Sequence, residues 1–261
     1  MAIPVKYVSA TEEKIKIIDS LGQEFYFPKT FEIRSEPIAK KSATLDAAYV
    51  HGGMDVSDGT FAPRFVEISG KVWAPTDAEY NAKWDAIAEH LAKEDFRIQS
   101  RNRQINIKKI EEISHDYPSL VGYPYGEVTI RLLAADPFWY AKNAKSKEIT
   151  ISSSPHEFTW GIGGKIEIYP LIIIYNQASN TDFTLENMTD SSRKFRIQDA
   201  GAASGTTITV DCREGTAKRG TTDIIDSFSH LFLRLLADRD NRFKYTGANC
   251  KITMQYKEAW I

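Results

Sequence analysis

The stretch "RFVEISGKVW", Arg64 to Trp73, constrains the fold most. Val66, Ile68 and Val72 share one parity, while Glu67, Ser69 and Lys71 share the other. A period of two is the mark of a strand with one buried face. "GEVTIRLLA" repeats it, with Val128, Ile130 and Leu132 opposite Glu127, Thr129 and Arg131. "FRIQS" and "QINIKKIEEI" flank "RNR" like the arms of a hairpin, and "KIKII", "EFYF" and "TFEIR" are shorter strand candidates.

One segment carries a helical period instead. Thr76 is a suitable N-cap and Glu79 follows at the spacing of a capping box. Tyr80, Trp84, Ile87, Ala88 and Leu91 then form an apolar stripe that packs on a sheet. The pattern predicts one principal helix near 76–94. His90 falls beside the stripe and is expected at the surface.

Beyond Tyr140 the character changes. "KEITIS", "HEFTW", "KIEIYPLIIIYN", "DFTLEN", "RKFRIQ", "TTITVDC", "DIID", "HLFLRLLA", "RFKY" and "CKITMQY" are strand candidates separated by turn clusters such as "NQASNTD", "GAASG" and "TGAN". Many short strands between regular turn signals predict a β-sandwich. The expected fold class is therefore mainly β: an N-terminal α+β domain over 1–140 and an all-β domain over 141–261. A length of 261 residues suits two cores. At the join stands "AADPFWYAK". Asp136-Pro137 turns the chain at the end of a strand, and Phe138, Trp139 and Tyr140 follow as apolar material for a domain junction.

Composition excludes several function classes. Hydrophobic content of 42% and charged content of 26% are those of a globular protein. With 33 basic and 35 acidic residues the formal charge is −2, which argues against a whole-chain trap for nucleic acid. No apolar run approaches the roughly 20 residues of a membrane helix, so no membrane insertion is expected. "MAIPVKYVSA" lacks a signal-peptide core, and synthesis in the cytosol is expected. Cys212 and Cys250 fit no metal-ligand spacing; free thiols and one disulfide both stay open, with free thiols favoured in a reducing compartment.

No constellation for catalysis is present. His51, His90, His115, His156 and His230 show no metal-binding spacing. "GIGGK", Gly161 to Lys165, precedes a strand rather than a helix and reads as a hairpin turn, not a phosphate cradle. Glu111, Glu112 and Asp116 read as a solvated face, and Asp55 and Asp58 as a loop without the ligand set of a calcium site. No nucleophile elbow, phosphate-binding loop or dinucleotide fingerprint occurs. The chain is expected to be no enzyme and to need no catalytic residue, cofactor or metal. Arg101, Arg103, Lys108 and Lys109 make a basic hairpin that is a candidate contact between copies, since unpaired strand edges can be completed by a neighbour.

Several stretches together resemble the distal tail protein of long-tailed bacteriophages. They are "VSDGTFAPRFVEISGKVW" followed by a helix, "GEVTIRLLAADPFWY", "YPLIIIYNQASNTDFTLENMTDSSRKFRI", "ITVDCREGTAKRG" and "RFKYTGANCKITMQYKEAW". The resemblance runs from Asp58 to Trp260. It implies a virion component at the distal end of the tail, made in the bacterial host cytoplasm. The N-terminal domain would build a homo-oligomeric ring, usually a hexamer, and the C-terminal domain would be a galectin-like β-sandwich. The ring would join the tail tube protein to a baseplate hub or tail-fibre protein, carry receptor-binding protein, and let DNA through without sequence-specific binding. The length leaves no room for a large inserted carbohydrate-binding module. The rival readings are a carbohydrate-binding module, with Trp160 as its glycan-stacking candidate, and a hydrolase, which would need two carboxylates flanking a groove.

Overall fold

The computed structural model describes residues 15–39, 44–46, 53–55, 61–92, 95–116 and 125–261. The chain divides into two compact units, the first ending at Trp139 and the second running from Tyr140 to Trp260, with Ile261 grouped with the first. As expected, it is mainly β, with one α-helix among the described residues.

The first unit contains β1 (Lys16–Ile18), β2 (Glu24–Tyr26), β3 (Glu32–Ser35), β4 (Thr44–Asp46), β5 (Gly53–Asp55), β6 (Arg64–Trp73), α1 (Asp77–Leu91), β7 (Phe96–Ser100), β8 (Arg103–Ile107), β9 (Lys109–Asp116) and β10 (Tyr125–Ala134). Strands run in the order β3-β6-β10-β9 in one sheet and β2-β1-β7-β8 in another, and β4 pairs with β5. The strands of β6 and β10 pair antiparallel over their full length, Ile68 opposite Ile130 and Arg64 opposite Ala134. Their inner face buries Val66, Ile68, Val72, Val128, Ile130 and Leu132. Their outer face is polar, with Lys71 paired to Glu127 at 2.8 Å. That division is the one the alternation predicts, because successive side chains leave a strand on opposite sides.

Helix α1 packs its Tyr80, Ile87 and Leu91 inward and lies against β6. Thr76 Oγ1 accepts from Glu79 N at 3.3 Å, satisfying one of the free amides of the first turn. The helix ends at Leu91, short of the expected 94, with Ala92 as its C-cap. His90 is not a surface residue: it is half-buried against Phe25, ring centroids 5.0 Å apart. The expected second arm of the hairpin is broken. At Lys108, whose N–H donates to Leu133 O at 2.8 Å, the chain leaves one sheet as β8 and enters the other as β9. Asp55 lies in a strand rather than a loop, and Asp58 lies outside the described residues.

After β11 (Trp139–Ala141), the second unit contains β12 (Lys145–Ile151), β13 (His156–Ile162), β14 (Leu171–Asn176), β15 (Asp182–Asn187), β16 (Arg193–Gln198), β17 (Thr207–Asp211), β18 (Thr216–Arg219), β19 (Thr222–Asp223), β20 (Phe228–His230), β21 (Arg239–Thr246), β22 (Cys250–Tyr256) and β23 (Ala259–Trp260). Two antiparallel sheets, β12-β22-β14-β17-β18-β19 and β13-β21-β15-β16-β20, make a β-sandwich. One inner face supplies Ile172, Ile174, Ile208, Val210, Ile252 and Met254; the other supplies Phe158, Phe183, Leu185, Phe195, Ile197 and Phe243.

A buried polar network holds the two sheets together. Tyr245 OH accepts from Asn180 Nδ2 at 2.7 Å and donates to Ala248 O at 3.0 Å. Asn180 Nδ2 also donates to Asn176 Oδ1 at 3.0 Å, and Asn180 Oδ1 accepts from Ala248 N at 2.9 Å. Gly247 passes so close that a Cβ there would sit 2.5 Å from Phe183 Cβ and 2.6 Å from Tyr245 OH.

Three local expectations differ. His230 to Ala237 is neither helix nor a laddered strand: only His230 pairs in β20, and Leu235 makes an isolated bridge to Ile168. Leu233 and Leu235 are buried between half-buried Phe232, Arg234 and Leu236, so the alternation persists over those positions, while Leu231, of the same parity, is exposed. "DIID" yields the two-residue β19 and then a 3-10 turn at Ile225–Ser227. "GIGGK" is no hairpin turn. The chain leaves β13 and bridges Ile166 to Ala259, with Gly164 at φ +91° against the Ala259 backbone.

Candidate functional site

The junction segment is packed rather than open. Asp136 Oδ1 accepts from Phe138 N at 3.4 Å, a local turn of the kind Asp favours. Phe138 meets Phe61 edge-on, centroids 5.2 Å apart, and Pro137 is buried. Trp139 is 9% exposed, and its Nε1 donates to Ser35 Oγ at 3.2 Å. An indole needs such a partner when its ring is buried. Tyr140 is half-buried and opens the second unit, where the Arg213 guanidinium lies 5.6 Å from its ring centre.

The four basic candidates do not form one patch. Arg101, at φ +55°, and Arg103 are exposed at the tip of the β7–β8 hairpin, closed by the Ser100–Arg103 pair. Lys108 and Lys109 lie at the far end of β8, about 16 Å along the strand. They are engaged there, Lys108 with Asp95 at 3.0 Å and Lys109 with Glu111 at 2.6 Å. The reason is the sheet switch at Lys108. β9 is the last strand of its sheet among the described residues, and it exposes Glu111, Glu112, Ile113 and Asp116. Tyr26 and Trp73 are also about half exposed, at 51% and 54%.

Trp160 is not a stacking platform. It is 9% exposed, 4.8 Å from Phe158 and 5.7 Å from Phe243 between ring centroids. Its parity on β13 matches Phe158 and Ile162, which face the sandwich core, so the indole has no open face for a sugar.

The "GIGG" segment does hold an anion, but one of the chain's own. Glu258 Oε1 accepts from Gly163 N at 3.0 Å and from Lys145 Nζ at 2.7 Å. This raises the Lys145 pKa, chiefly through that hydrogen bond. Both thiols are free and buried, and desolvation pushes Cys212 up to about 12. No group of three His, Cys, Asp or Glu side chains able to hold a metal occurs among the described residues.

Two features escaped the sequence reading. Arg64 shares the parity of Val66 and Ile68, yet a charge is normally assigned outward. It is 5% exposed, its pKa lowered by burial, with no acceptor at Nε or Nη1 among the described residues. Parity alone was the available signal. The other is a stack on α1, where Trp84 lies 4.5 Å from His115 and Tyr80 OH meets His115 Nε2. Helix and strand are distant in sequence, so no spacing pattern announces that contact.

Residues 142–256 match the family model described as a phage tail C-terminal domain. No curated protein matches the chain. Among solved structures, the chain is similar to the Dit protein of phage SPP1, described as a paradigm of the hub adsorption apparatus in phages that infect Gram-positive bacteria. The TM-score is 0.72 at 14% identity, covering 94% of this chain and 99% of that one. A structure of the phage P2 baseplate in its activated conformation also matches, with TM-score 0.43, 12% identity and coverage of 95% and 99%. At that score it carries no argument. The SPP1 likeness shows the fold: this chain folds as that Dit protein does, in agreement with the resemblance seen in the sequence.

Proposed function

We propose that this chain is a non-enzymatic structural component at the distal end of a phage tail. The observation that carries the reading is the Dit-like fold over both units, joined by the phage-tail match of residues 142–256. The first unit assembles head to tail into a closed ring, a hexamer, and the second is peripheral. The ring joins the tail tube protein to the baseplate hub or tail-fibre protein, offers a seat for receptor-binding protein, and lets DNA pass through its lumen. Asp136 to Tyr140 link the ring-forming domain to the sandwich.

A ring needs a heterologous interface, two different surfaces of one chain that fit each other. The first unit carries suitable material. β9 is the last strand of its sheet among the described residues and exposes Glu111, Glu112 and Asp116, while the hairpin tip carries exposed Arg101 and Arg103. The last strand of a sheet can take up a partner backbone, and opposite charge steers it. Exposed Tyr26 and Trp73 add apolar area. Sedimentation or native mass measurement of the purified chain tests this. A single closed oligomer of six copies is expected; a strict monomer at high concentration refutes it.

A further inference from the structure

The β15–β16 hairpin and the end of β20 enclose a surface cavity of about 400 Å³. Three of the six described non-glycine residues with positive φ line it: Ser191 at +50°, Ser192 at +56° and His230 at +77°. Such backbone is uncommon for residues with a side chain, and it gathers at sites where the geometry is used. The placement of His230 is fixed by the ladder, since it pairs with Phe195 while Leu231 N donates to Lys194 O at 3.0 Å.

The charge of the cavity is one-sided. Its one lining carboxylate, Asp190, is 6% exposed and gripped at both oxygens by Arg234, at 2.7 Å from Nε and 2.9 Å from Nη2. The third nitrogen of Arg234, Nη1, donates to Glu167 at 3.1 Å. Arg234 is thus shared between two carboxylates, with all three of its nitrogens engaged. Arg193 is different. Its Nε donates to Phe232 O at 2.6 Å, which anchors the guanidinium, while its outer nitrogens meet no acceptor among the described residues. Lys194 and His230 are exposed and take part in no ion pair among the described residues. The remaining groups can each donate: a pinned guanidinium fork, an ammonium, an imidazole and two serine hydroxyls.

We propose that this cavity binds a phosphate group through Arg193, Lys194 and His230, with Ser191 and Ser192 completing its shell. Residues from a loop and two strands line the cavity, and several separate donors suit the several oxygens of a tetrahedral oxyanion better than the two of a carboxylate. The site is independent of the ring, so either can fail alone. A free phosphate ion and a phosphodiester on a polymer share the required chemistry.

The test is calorimetric titration of the full chain with inorganic phosphate and with dimethyl phosphate at constant ionic strength, with acetate as the control. Saturable binding of phosphate or its diester is expected. Lys194→Gln and His230→Asn should each weaken it about tenfold, the usual loss for one charge-assisted hydrogen bond. Asn is chosen at position 230 because it tolerates positive φ. Lys218→Gln, on β18 of the other sheet, should leave the affinity unchanged. Binding of the diester assigns a polymer-borne group; binding of inorganic phosphate alone assigns the free ion. No saturable binding of either, equal binding of acetate, or unchanged affinity in both site variants overturns the proposal.

Discussion

Replacing Tyr245 by Phe removes a single oxygen from the sandwich core, and its cost follows from the partners. Tyr245 is fully buried, and its hydroxyl accepts from Asn180 and donates to Ala248. Without it, one N–H of the nearly buried Asn180 and the Ala248 carbonyl each lose a partner. The ring volume is kept, so the cavity contribution is small. Leaving a buried polar group unsatisfied costs about 1–3 kcal/mol, and two such groups with some relaxation give roughly 2–4 kcal/mol. For a unit of this size that corresponds to a fall in Tm of about 8–16 °C. Differential scanning calorimetry of the full chain is the assay, and only the transition of the second unit should move. Asn180→Ala in the Tyr245→Phe background should cost less than on its own, because the two side chains share one network. A drop in Tm below about 3 °C, or strict additivity of the two substitutions, would refute the reasoning.

Two more outcomes follow from the same core. Gly247→Ala should destabilise the second unit by about 1–3 kcal/mol in a urea melt, because the added methyl meets Phe183, Tyr245 and Asn180 rather than a side chain free to swing away. Cys212 is an acid whose folded pKa is raised by burial to about 12, above the ordinary thiol value. The unfolded chain therefore loses this proton first. The stability contribution is fully present below the unfolded thiol pKa of about 8.5 and is lost as pH rises from there toward about 12. The melting temperature of wild type should fall more steeply over that window than that of Cys212→Ala. In the native chain neither thiol should react promptly with a thiol-directed reagent, and both should react on unfolding.

Much of the fold was legible because it rests on period. The alternation of β6 and β10 placed Val66, Ile68, Val128 and Ile130 inside, and the Thr76 cap and the Tyr80–Leu91 stripe located α1. What period cannot carry is partnership across the fold. Nothing local tells that the chain switches sheets at Lys108, so the basic residues read as one cluster separate into a hairpin tip and two ion-paired lysines. His230 to Ala237 alternates like a strand, yet it has no neighbouring strand to ladder with, and only its buried leucines keep the pattern. Trp160 has the chemistry of a glycan-stacking residue, yet its parity with Phe158 points it inward. Arg64 shows the converse: its parity was right and its charge misled. The resemblance itself lay in the order of weak pieces, the Asp136-Pro137 corner and the Gly247-x-Asn249 turn among them, and the structure gives the latter a physical reason in the closeness of Gly247 to the Tyr245 network.

The central claim is assembly, and negative-stain electron microscopy of the purified chain tests it most directly. The account predicts uniform rings with a central hole and six peripheral lobes, one for each sandwich unit. A field of isolated single-chain particles under conditions where the protein is folded and concentrated would contradict it.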